Sequence, residues 1–191
     1  FTASYFAECM SCTFCHDVCC SWGADIDLPN VERILAEGEA LEAFVGVPRS
    51  QWFRSDTVVL DAELPGGVRT RTATSGGACV FLDRKSRGCK LHRYMLREGR
   101  HYNELKPMIC ALFGVTFDAG VLQPADELAD QSLRCSGPGL TGYRAARGDL
   151  EWYFGAELVP ELDAMEREMR LQAIAQGGDR SGLNRSSHDT R

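Results

Sequence analysis

Five cysteines lie within twelve residues near the start of the sequence, in the stretch CMSCTFCHDVCC at positions 9 to 20. Further cysteines follow at wider intervals, which makes nine in a chain of 191 residues. Thiolate sulfur binds zinc and iron–sulfur clusters, and short spacings let a turning backbone direct several sulfurs at one centre. The cysteine pattern therefore predicts a metal site. The nine candidate ligands are Cys9, Cys12, Cys15, Cys19, Cys20, Cys79, Cys89, Cys110 and Cys135.

Two other roles explain these cysteines less well. A disulfide framework is typical of small secreted domains, but the cysteine count is odd and no signal peptide is visible. Adjacent cysteines such as Cys19 and Cys20 also seldom pair, because the bridge would strain the backbone. Buried inert thiols pack as small apolar groups, whereas the first five lie among Ser, Thr, His and Asp. We therefore expect metal-binding thiols in a cytoplasmic protein.

The spacing favours an iron–sulfur centre over a single zinc ion. Structural zinc sites usually combine two C-x2-4-C pairs. Cys9, Cys12 and Cys15 have that spacing, but no second such pair follows. A cluster is larger than an ion and accepts ligands from distant loops, such as Cys79 and Cys110. Nine thiols suffice for two four-thiolate sites with one left over, so we expect one or two clusters of the 4Fe-4S type, with zinc as the alternative.

The adjacent cysteines and two histidines leave the ligand assignment open. Successive side chains of an extended segment point in opposite directions, so Cys19 and Cys20 serve two centres, or one is a ligand and the other a packed thiol. His16 lies inside the cluster, and His92 follows Cys89 by three residues. Imidazole replaces thiolate in some iron–sulfur sites. Because thiols are plentiful, we expect both histidines to form hydrogen bonds or polar surface instead.

The elements that must position these loops begin with an amphipathic segment. Apolar spacing over residues 28–46 predicts a helix, with Asn30 as its N-cap and Gly38 weakening its middle. Two strands are expected on either side of a turn at 65–67. Cys79 then falls in a short apolar strand.

The C-terminal part predicts a strand from Ile109 and then a long amphipathic helix within residues 143–175, bent near Pro160. Residues 176–191 are polar and rich in Gly and Ser, so we expect a mobile tail. The sequence therefore predicts one small α+β domain over residues 1–175, with short strands and hairpins, metal-binding loops and the C-terminal helix. The expected apolar stripe of that helix consists of Leu150, Tyr153, Phe154, Leu158, Leu162, Met165 and Met169.

The charge distribution limits the partners. A net charge of −6 argues against nucleic-acid binding by the chain as a whole, and no run approaches the ~18 apolar residues of a membrane span. The sign reverses within residues 84–100, around Cys89. Cations there would raise the potential of an anionic cluster or dock an acidic redox partner; a solvated face is the alternative. The cations are Arg84, Lys85, Arg87, Lys90, Arg93, Arg97 and Arg100.

The order of the cysteine blocks resembles the YkgJ-like cysteine-cluster family, catalogued as a zinc- or iron-chelating domain. The blocks are C-x2-C-x2-C-x3-CC, CVFLDRKSRGCKLH, LKPMIC and LRC. The stretch CHDVCCSWGADIDL is also similar to the cysteine region of flagellin lysine-N-methylases. One departure is that His16-Asp17-Val18 precedes the paired cysteines in place of the family's Gly-Ala. The resemblance implies metal binding through Cys15, Cys19, Cys20, Cys79, Cys89 and Cys110, with Cys135 as the trailing cysteine.

These observations leave three functions open. The first is a redox or electron-transfer protein, or the iron–sulfur component of an enzyme system. The second is a zinc-stapled interaction module without chemistry of its own. The third is an enzyme whose cluster binds substrate at an open iron position. A methylase would need a cofactor-binding portion, for which little chain remains, so the resemblance implies metal binding without naming a reaction.

Overall fold

Helices and short antiparallel strands follow one another in separate runs along the chain, which makes this an α+β protein. The structure is a computed structural model that describes residues 1, 3–6 and 9–180, with the backbone alone for Cys9 and for residues 177–180. The described helices are α1 (Leu28–Ala36), α2 (Gly38–Val45), α3 (Lys90–Arg97), α4 (Met108–Ala111), α5 (Asp126–Ala129), α6 (Gly142–Phe154) and α7 (Leu158–Arg180). The described strands are β1 (Ser4–Tyr5), β2 (Asp25–Asp27), β3 (Phe53–Leu60), β4 (Val68–Thr72), β5 (Thr74–Ser75), β6 (Ala78–Cys79), β7 (Val115–Asp118), β8 (Val121–Pro124) and β9 (Leu140–Thr141).

The segment predicted as one helix over residues 28–46 forms the two helices α1 and α2. The N-cap of α1 is Asp27, whose carboxylate accepts a hydrogen bond from the backbone N–H of Asn30 at 2.8 Å. The prediction of Asn30 as the cap is therefore wrong, because Asn30 already lies within the helix. Gly38 has a φ of +66°, a conformation that only glycine adopts at little cost, and this interrupts the helix.

The three-stranded sheet has the order β2-β4-β3, and both of its pairings are antiparallel. β3 and β4 are joined through a 3-10 turn at Pro65–Gly67, with Leu60 opposite Val68, so the predicted hairpin is confirmed. β5 and β6 pair directly after β4, and this second hairpin places Cys79 opposite Thr74. The remaining antiparallel pairs are β1 with β9 and β7 with β8.

The predicted C-terminal helix is divided into α6 and α7. The division occurs at Gly155, whose φ is +90°, and not near Pro160. Pro160 lies in the first turn of α7, where its missing N–H leaves no helical hydrogen bond unmade. Phe154, Met165 and Met169 are 43%, 53% and 43% exposed, so the prediction of an apolar stripe facing the core is wrong at these three residues.

Two further predictions concern a strand that begins at Ile109 and a tail over residues 176–191. Ile109 begins no strand, because it lies with Cys110 in α4 and the next strand starts at Val115. α7 continues to Arg180, so the first residues of the expected tail are helical; the rest of that prediction, 181–191, lies outside the described residues. Among the described helices, none is long and apolar enough to cross a membrane.

Two apolar clusters form most of the core. The larger one joins α1, α2 and α3 to the β2-β4-β3 sheet, around the fully buried Trp52. The indole N–H of Trp52 donates to the carbonyl of Val47 at 2.8 Å, which satisfies its one polar atom. The second cluster joins α4, α6 and α7 around Leu112 and Leu150. The cysteines from residue 79 onward therefore lie on or beside rigid, packed elements.

Leu41 and Leu60 offer a matched test of this core. Leu41 is fully buried in the larger cluster, whereas Leu60 is 88% exposed on β3. We expect Leu41→Ala to lower the free energy of unfolding by about 2–5 kcal/mol, because it removes buried methyl groups and leaves a cavity. Leu60→Ala should change it by less than about 0.5 kcal/mol. Urea denaturation measures both, and equal losses would contradict the assignment of the core.

Candidate metal centre

Three cysteines from separate elements form what we call the core group: Cys79 on β6, Cys89 at the N-cap of α3 and Cys110 in α4. Cys79 and Cys89 pack against the larger apolar cluster. Burial raises the pKa of the Cys110 thiol, and the neighbouring thiolates of Cys89 and Cys79 raise it further. A smaller contribution in the same direction comes from Cys19 of the N-terminal loop. Four thiols from four parts of the chain thus lie near one another.

Local hydrogen bonds fix the two core-group thiols that precede α3. The thiol of Cys79 donates to the hydroxyl of Thr72 at 3.4 Å. Burial raises the pKa of Cys79, and the Thr72 contact opposes that rise. Cys89 pairs across a short bridge with Leu82, and the backbone N–H of Lys90 donates to Phe81. The loop between residues 82 and 89 is therefore closed at its base, and the charge of a Cys89 thiolate raises the pKa of Cys79.

Three further cysteines form the loop group: Cys12 and Cys15, both buried, and Cys135. Together with Cys19 they line a cavity of about 20 Å³, which is room for a particle the size of one water molecule. Burial raises the pKa of Cys12, and a hydrogen bond with the thiol of Cys15 raises it further. Cys19 lines this cavity, and as a thiolate it also raises the pKa of Cys110. It therefore lies between the two groups.

An ion pair attaches the N-terminal cysteine loop to the loop that precedes Cys89. The guanidinium of Arg87 donates two hydrogen bonds to the carboxylate of Asp17, at 2.9 and 3.1 Å. The same guanidinium donates to the sulfur of Cys15 at 3.3 Å. His16, Asp17 and Arg87 all have φ between +56° and +64°, a conformation that costs energy for residues with a side chain. The ion pair offsets that cost at the junction of the two loops.

Side-chain packing also holds the N-terminal cysteine loop against the loop that precedes Cys89. Gly88 has a φ of +77°, and a side chain at this position would collide with the sulfur of Met10. Glycine favours the fold at the position before Cys89, both for its backbone conformation and because the end of the Met10 side chain packs directly on it. Contacts at Met10, Cys15 and Asp17 hold one loop against the other over most of its length.

The basic segment within residues 84–100 is largely engaged inside the chain. The ammonium of Lys90 donates to the carbonyl of Val45 at 2.6 Å, at the end of α2 and away from the thiols. Arg93 pairs with Asp83 at 2.6 Å, and Arg84 donates to the carbonyl of Ser75 at 2.9 Å. Arg87, in contrast, donates to a thiol, that of Cys15.

The predicted ligands can now be placed. The structure brings together two groups of three, with Cys19 between them, while Cys20 is half-buried and belongs to neither group; the side chain of Cys9 lies outside the described part. Cys12, Cys15, Cys20, Cys79 and Cys110 are free thiols. Across residues 1, 3–6 and 9–180, no three His, Cys, Asp or Glu side chains are close enough to hold a single metal ion. The thiols are thus neighbours at a wider spacing than one ion requires.

The two histidines lie outside both groups. His16 is exposed, as expected for a polar surface residue. The ring of His92 stacks on Tyr102, with centroids 4.1 Å apart and planes inclined by 7°. Its Nδ1 atom is buried and has no hydrogen-bond partner among the described atoms, so the expected hydrogen bond to that atom is not seen.

Sequence reasoning missed the ring stack that continues from His92. Tyr102 stacks on His101 at 4.7 Å, and His101 stacks on Trp152 at 4.2 Å. The four rings come from α3, from the 3-10 turn that follows it and from α6. No periodicity connects residues so far apart in sequence, and only the packing of α6 against that turn brings them together.

Comparisons with protein-family models, with curated proteins and with solved structures find no match. The resemblance to the YkgJ-like family therefore depends on the cysteine blocks alone. The functional inference therefore rests on the geometry of the two thiol groups.

Arg87 and Arg49 test the loop junction. Arg87 joins two loops and is 24% exposed, whereas Arg49 forms a more exposed pair with Glu42. We expect Arg87→Gln to lower the free energy of unfolding by about 1–2 kcal/mol, because charge-assisted hydrogen bonds are lost beside two strained turns. Arg49→Gln should cost less than about 0.5 kcal/mol. Thermal and urea unfolding measure both, and indistinguishable variants would show that the junction is not held by Arg87.

His92 predicts a pH dependence. Burial lowers its pKa from 6.5 to about 4, and the charges of Lys106, His101 and Arg93 contribute in the same direction. Because the unfolded chain binds this proton more readily, stability falls as the pH drops from 6.5 towards 4. We expect His92→Phe, which keeps a stacking ring, to remove that component. Urea denaturation at several pH values measures the difference between the variant and the wild type. A difference that does not change with pH would contradict the assignment.

Proposed function

We propose that this chain binds an iron–sulfur cluster through the core group and Cys19, and that it functions in redox or electron transfer or as a component of an enzyme system. The supporting observation is the environment of Cys110, a buried thiol whose pKa is raised further by the charge that Cys89, Cys79 and Cys19 carry as thiolates. Thiolates of like charge repel one another when buried together. Such a grouping is stable with protonated thiols or with a metal that neutralises the thiolates, and metal binding releases the protons.

The spacing of these thiols favours a cluster over one ion. They influence one another's charge, yet the described residues contain no group tight enough for a single ion. A cluster spreads its ligands farther apart and takes them from separate loops. When bound, it would supply one-electron redox chemistry, while the chain contributes the thiolates and the burial that excludes water.

Positive charge around the core group fits an anionic centre. Cys89 lies at the N-terminus of α3, where the helix dipole favours negative charge. Lys106 lowers the pKa of Cys110, opposing the larger effect of burial. Arg87 donates to Cys15 on the other side of the junction. These groups stabilise thiolates and hence metal affinity. Membership of the YkgJ-like family is part of the same proposal, because three of its four cysteine blocks supply Cys19, Cys79, Cys89 and Cys110.

The loop group supports zinc as the second candidate. Cys12, Cys15, Cys19 and Cys135 line a cavity with room for one small particle and not for a cluster. Four thiolates bound to one ion are the ligand set of a structural zinc site, and these thiols would have to move closer together to bind it, because the described residues contain no preformed group of three ligands. A chain with zinc alone would be an interaction module without redox chemistry. If the chain binds both a cluster and a zinc ion, Cys19 is a ligand of only one of them.

Cys110 and Cys20 provide the test of the proposed ligands. Cys110→Ser removes a core-group thiol, whereas Cys20→Ser removes a half-buried thiol that belongs to neither group. We expect anaerobically purified wild type to contain iron and acid-labile sulfide. Cys110→Ser should lose most of both, because a four-thiolate site does not retain its cluster well with one weaker ligand. Cys20→Ser should retain them.

Iron, zinc and sulfide analysis of the three proteins measures this outcome, and circular dichroism controls for folding. Zinc without sulfide in the wild type would replace the proposal with the interaction module. Loss of iron in Cys20→Ser but not in Cys110→Ser would show that the cluster does not lie at the core group.

A further inference from the structure

We propose that Cys12 and Cys15 are a reversible redox site, at which hydrogen peroxide oxidises the two thiols to one disulfide. The site goes beyond the function proposed above and does not depend on it, because neither cysteine is a ligand of the cluster assigned to the core group and Cys19. It competes only with the alternative in which the loop group binds zinc. Both cysteines are free thiols in the described structure.

The bend that contains the two cysteines turns both thiols inward. Thr13 and Phe14 between them are exposed, whereas Cys12 and Cys15 are 2% and 7% exposed. The ring of Phe14 packs edge-on against Phe6, with centroids 5.4 Å apart, and this contact helps to hold the bend. The thiols of Cys12 and Cys15 form a hydrogen bond with each other. Because the two sulfurs are already in contact, a disulfide between them needs little movement of the backbone.

Arg87 favours Cys15 as the thiol that reacts first. Its guanidinium donates to the sulfur of Cys15 at 3.3 Å, and two hydrogen bonds to Asp17 hold the same guanidinium in place. A cation beside a thiol favours the thiolate, which is the form that attacks a peroxide. Cys12 lies next to Cys15 and is therefore placed to attack the sulfur once it is oxidised.

The space beside the two thiols limits the oxidant to a small molecule. Cys12 and Cys15 both line the cavity of about 20 Å³, which has room for a particle the size of one water molecule. Hydrogen peroxide has two heavy atoms and is close to that size. A bulky disulfide, such as oxidised glutathione, has to bring its own sulfur atoms up to thiols that are almost fully buried. The site is therefore suited to peroxide.

The atoms and electrons of the reaction balance. The thiolate of Cys15 attacks one oxygen of hydrogen peroxide, the O–O bond breaks, and hydroxide leaves while Cys15 becomes a sulfenic acid. This hydroxide takes the proton of Cys12, and the Cys12 thiolate attacks the sulfur of Cys15. The S–O bond breaks, and the second hydroxide takes up the proton that Cys15 had lost.

The net reaction turns two thiols and one hydrogen peroxide into one disulfide and two water molecules. The thiols lose two electrons, and the peroxide gains them. A dithiol reverses the oxidation by thiol–disulfide exchange and is itself oxidised to a disulfide.

Mass spectrometry of the full chain tests the site. The anaerobically purified chain would be treated with a small excess of hydrogen peroxide, alkylated, denatured and cleaved with chymotrypsin. Cleavage after Phe14 separates Cys12 from Cys15, so a bridge between them joins two fragments that otherwise part. We expect this bridge in the wild type and in Cys20→Ser, and its loss after treatment with dithiothreitol. Oxidised glutathione at the same concentration should form it more slowly.

Single variants identify the role of each thiol. Cys12→Ser leaves the sulfenic acid of Cys15 without its resolving thiol, so dimedone, which reacts with sulfenic acids, should label Cys15. In Cys15→Ser, dimedone should leave Cys12 unlabelled.

Arg87 variants test the role of the cation, with Arg49→Gln as the matched control because Arg49 pairs with Glu42. Arg87→Gln should form the bridge about tenfold more slowly, because it loses a charge-assisted hydrogen bond to the reacting sulfur. Arg87→Lys keeps the charge and should recover part of the rate, and Arg49→Gln should match the wild type. Circular dichroism confirms that each variant is folded.

The outcomes separate this site from the proposed function. A bridge between Cys12 and Cys15 that dithiothreitol removes supports the site, whether or not the sample holds iron. The site would be overturned if both thiols are still alkylated after peroxide treatment, or if Cys15 is bridged to Cys135 instead. Zinc that is present in the wild type and lost in both Cys12→Ser and Cys15→Ser would also overturn it, in favour of a structural zinc site. Iron and sulfide analysis of the same samples tests the core group separately.

Discussion

The ion pair between Arg87 and Asp17 is the constraint on which the arrangement of the thiols depends. The cysteine loop at the N-terminus contains little regular structure, so its position is set by what it contacts. Arg87 holds that loop by two hydrogen bonds to Asp17 and one to Cys15. This junction therefore helps to set the position of Cys19 relative to the core group. Cys19 is the fourth thiol beside the three of the core group.

Most of the architecture was predictable because it follows from local chemistry. The hairpin at Pro65–Gly67 and the helix-forming segment after Asp27 are signalled by turn residues and apolar spacing. The errors occurred where two patterns compete. A short apolar run such as the one around Ile109 fits a strand or a buried helix equally well. At the C-terminus, the sequence contains both Gly155 and Pro160. Proline breaks a helix more strongly than glycine does when it lies inside the helix, but Pro160 lies at the start of α7, where proline is tolerated.

The site was predictable in its residue types and not in its grouping. Cysteine count and order indicated metal, and the structure divides the thiols into two groups that no spacing rule separates. Cys19 and Cys20 are adjacent in sequence. Cys19 lines the cavity of the loop group and influences the pKa of Cys110 in the core group, whereas Cys20 belongs to neither group. Their directions are set by the left-handed turn at His16 and Asp17, which are not residues that favour it as glycine does. The ring stack had no sequence signal at all.

X-ray absorption spectroscopy at the iron edge of the anaerobically purified chain tests the central claim most directly, because it reports the neighbours of each metal atom. If the core group and Cys19 hold a cluster, iron will show a shell of sulfur neighbours and a second shell of iron. A chain that contains no iron, or only zinc with sulfur neighbours and no second metal, would contradict it.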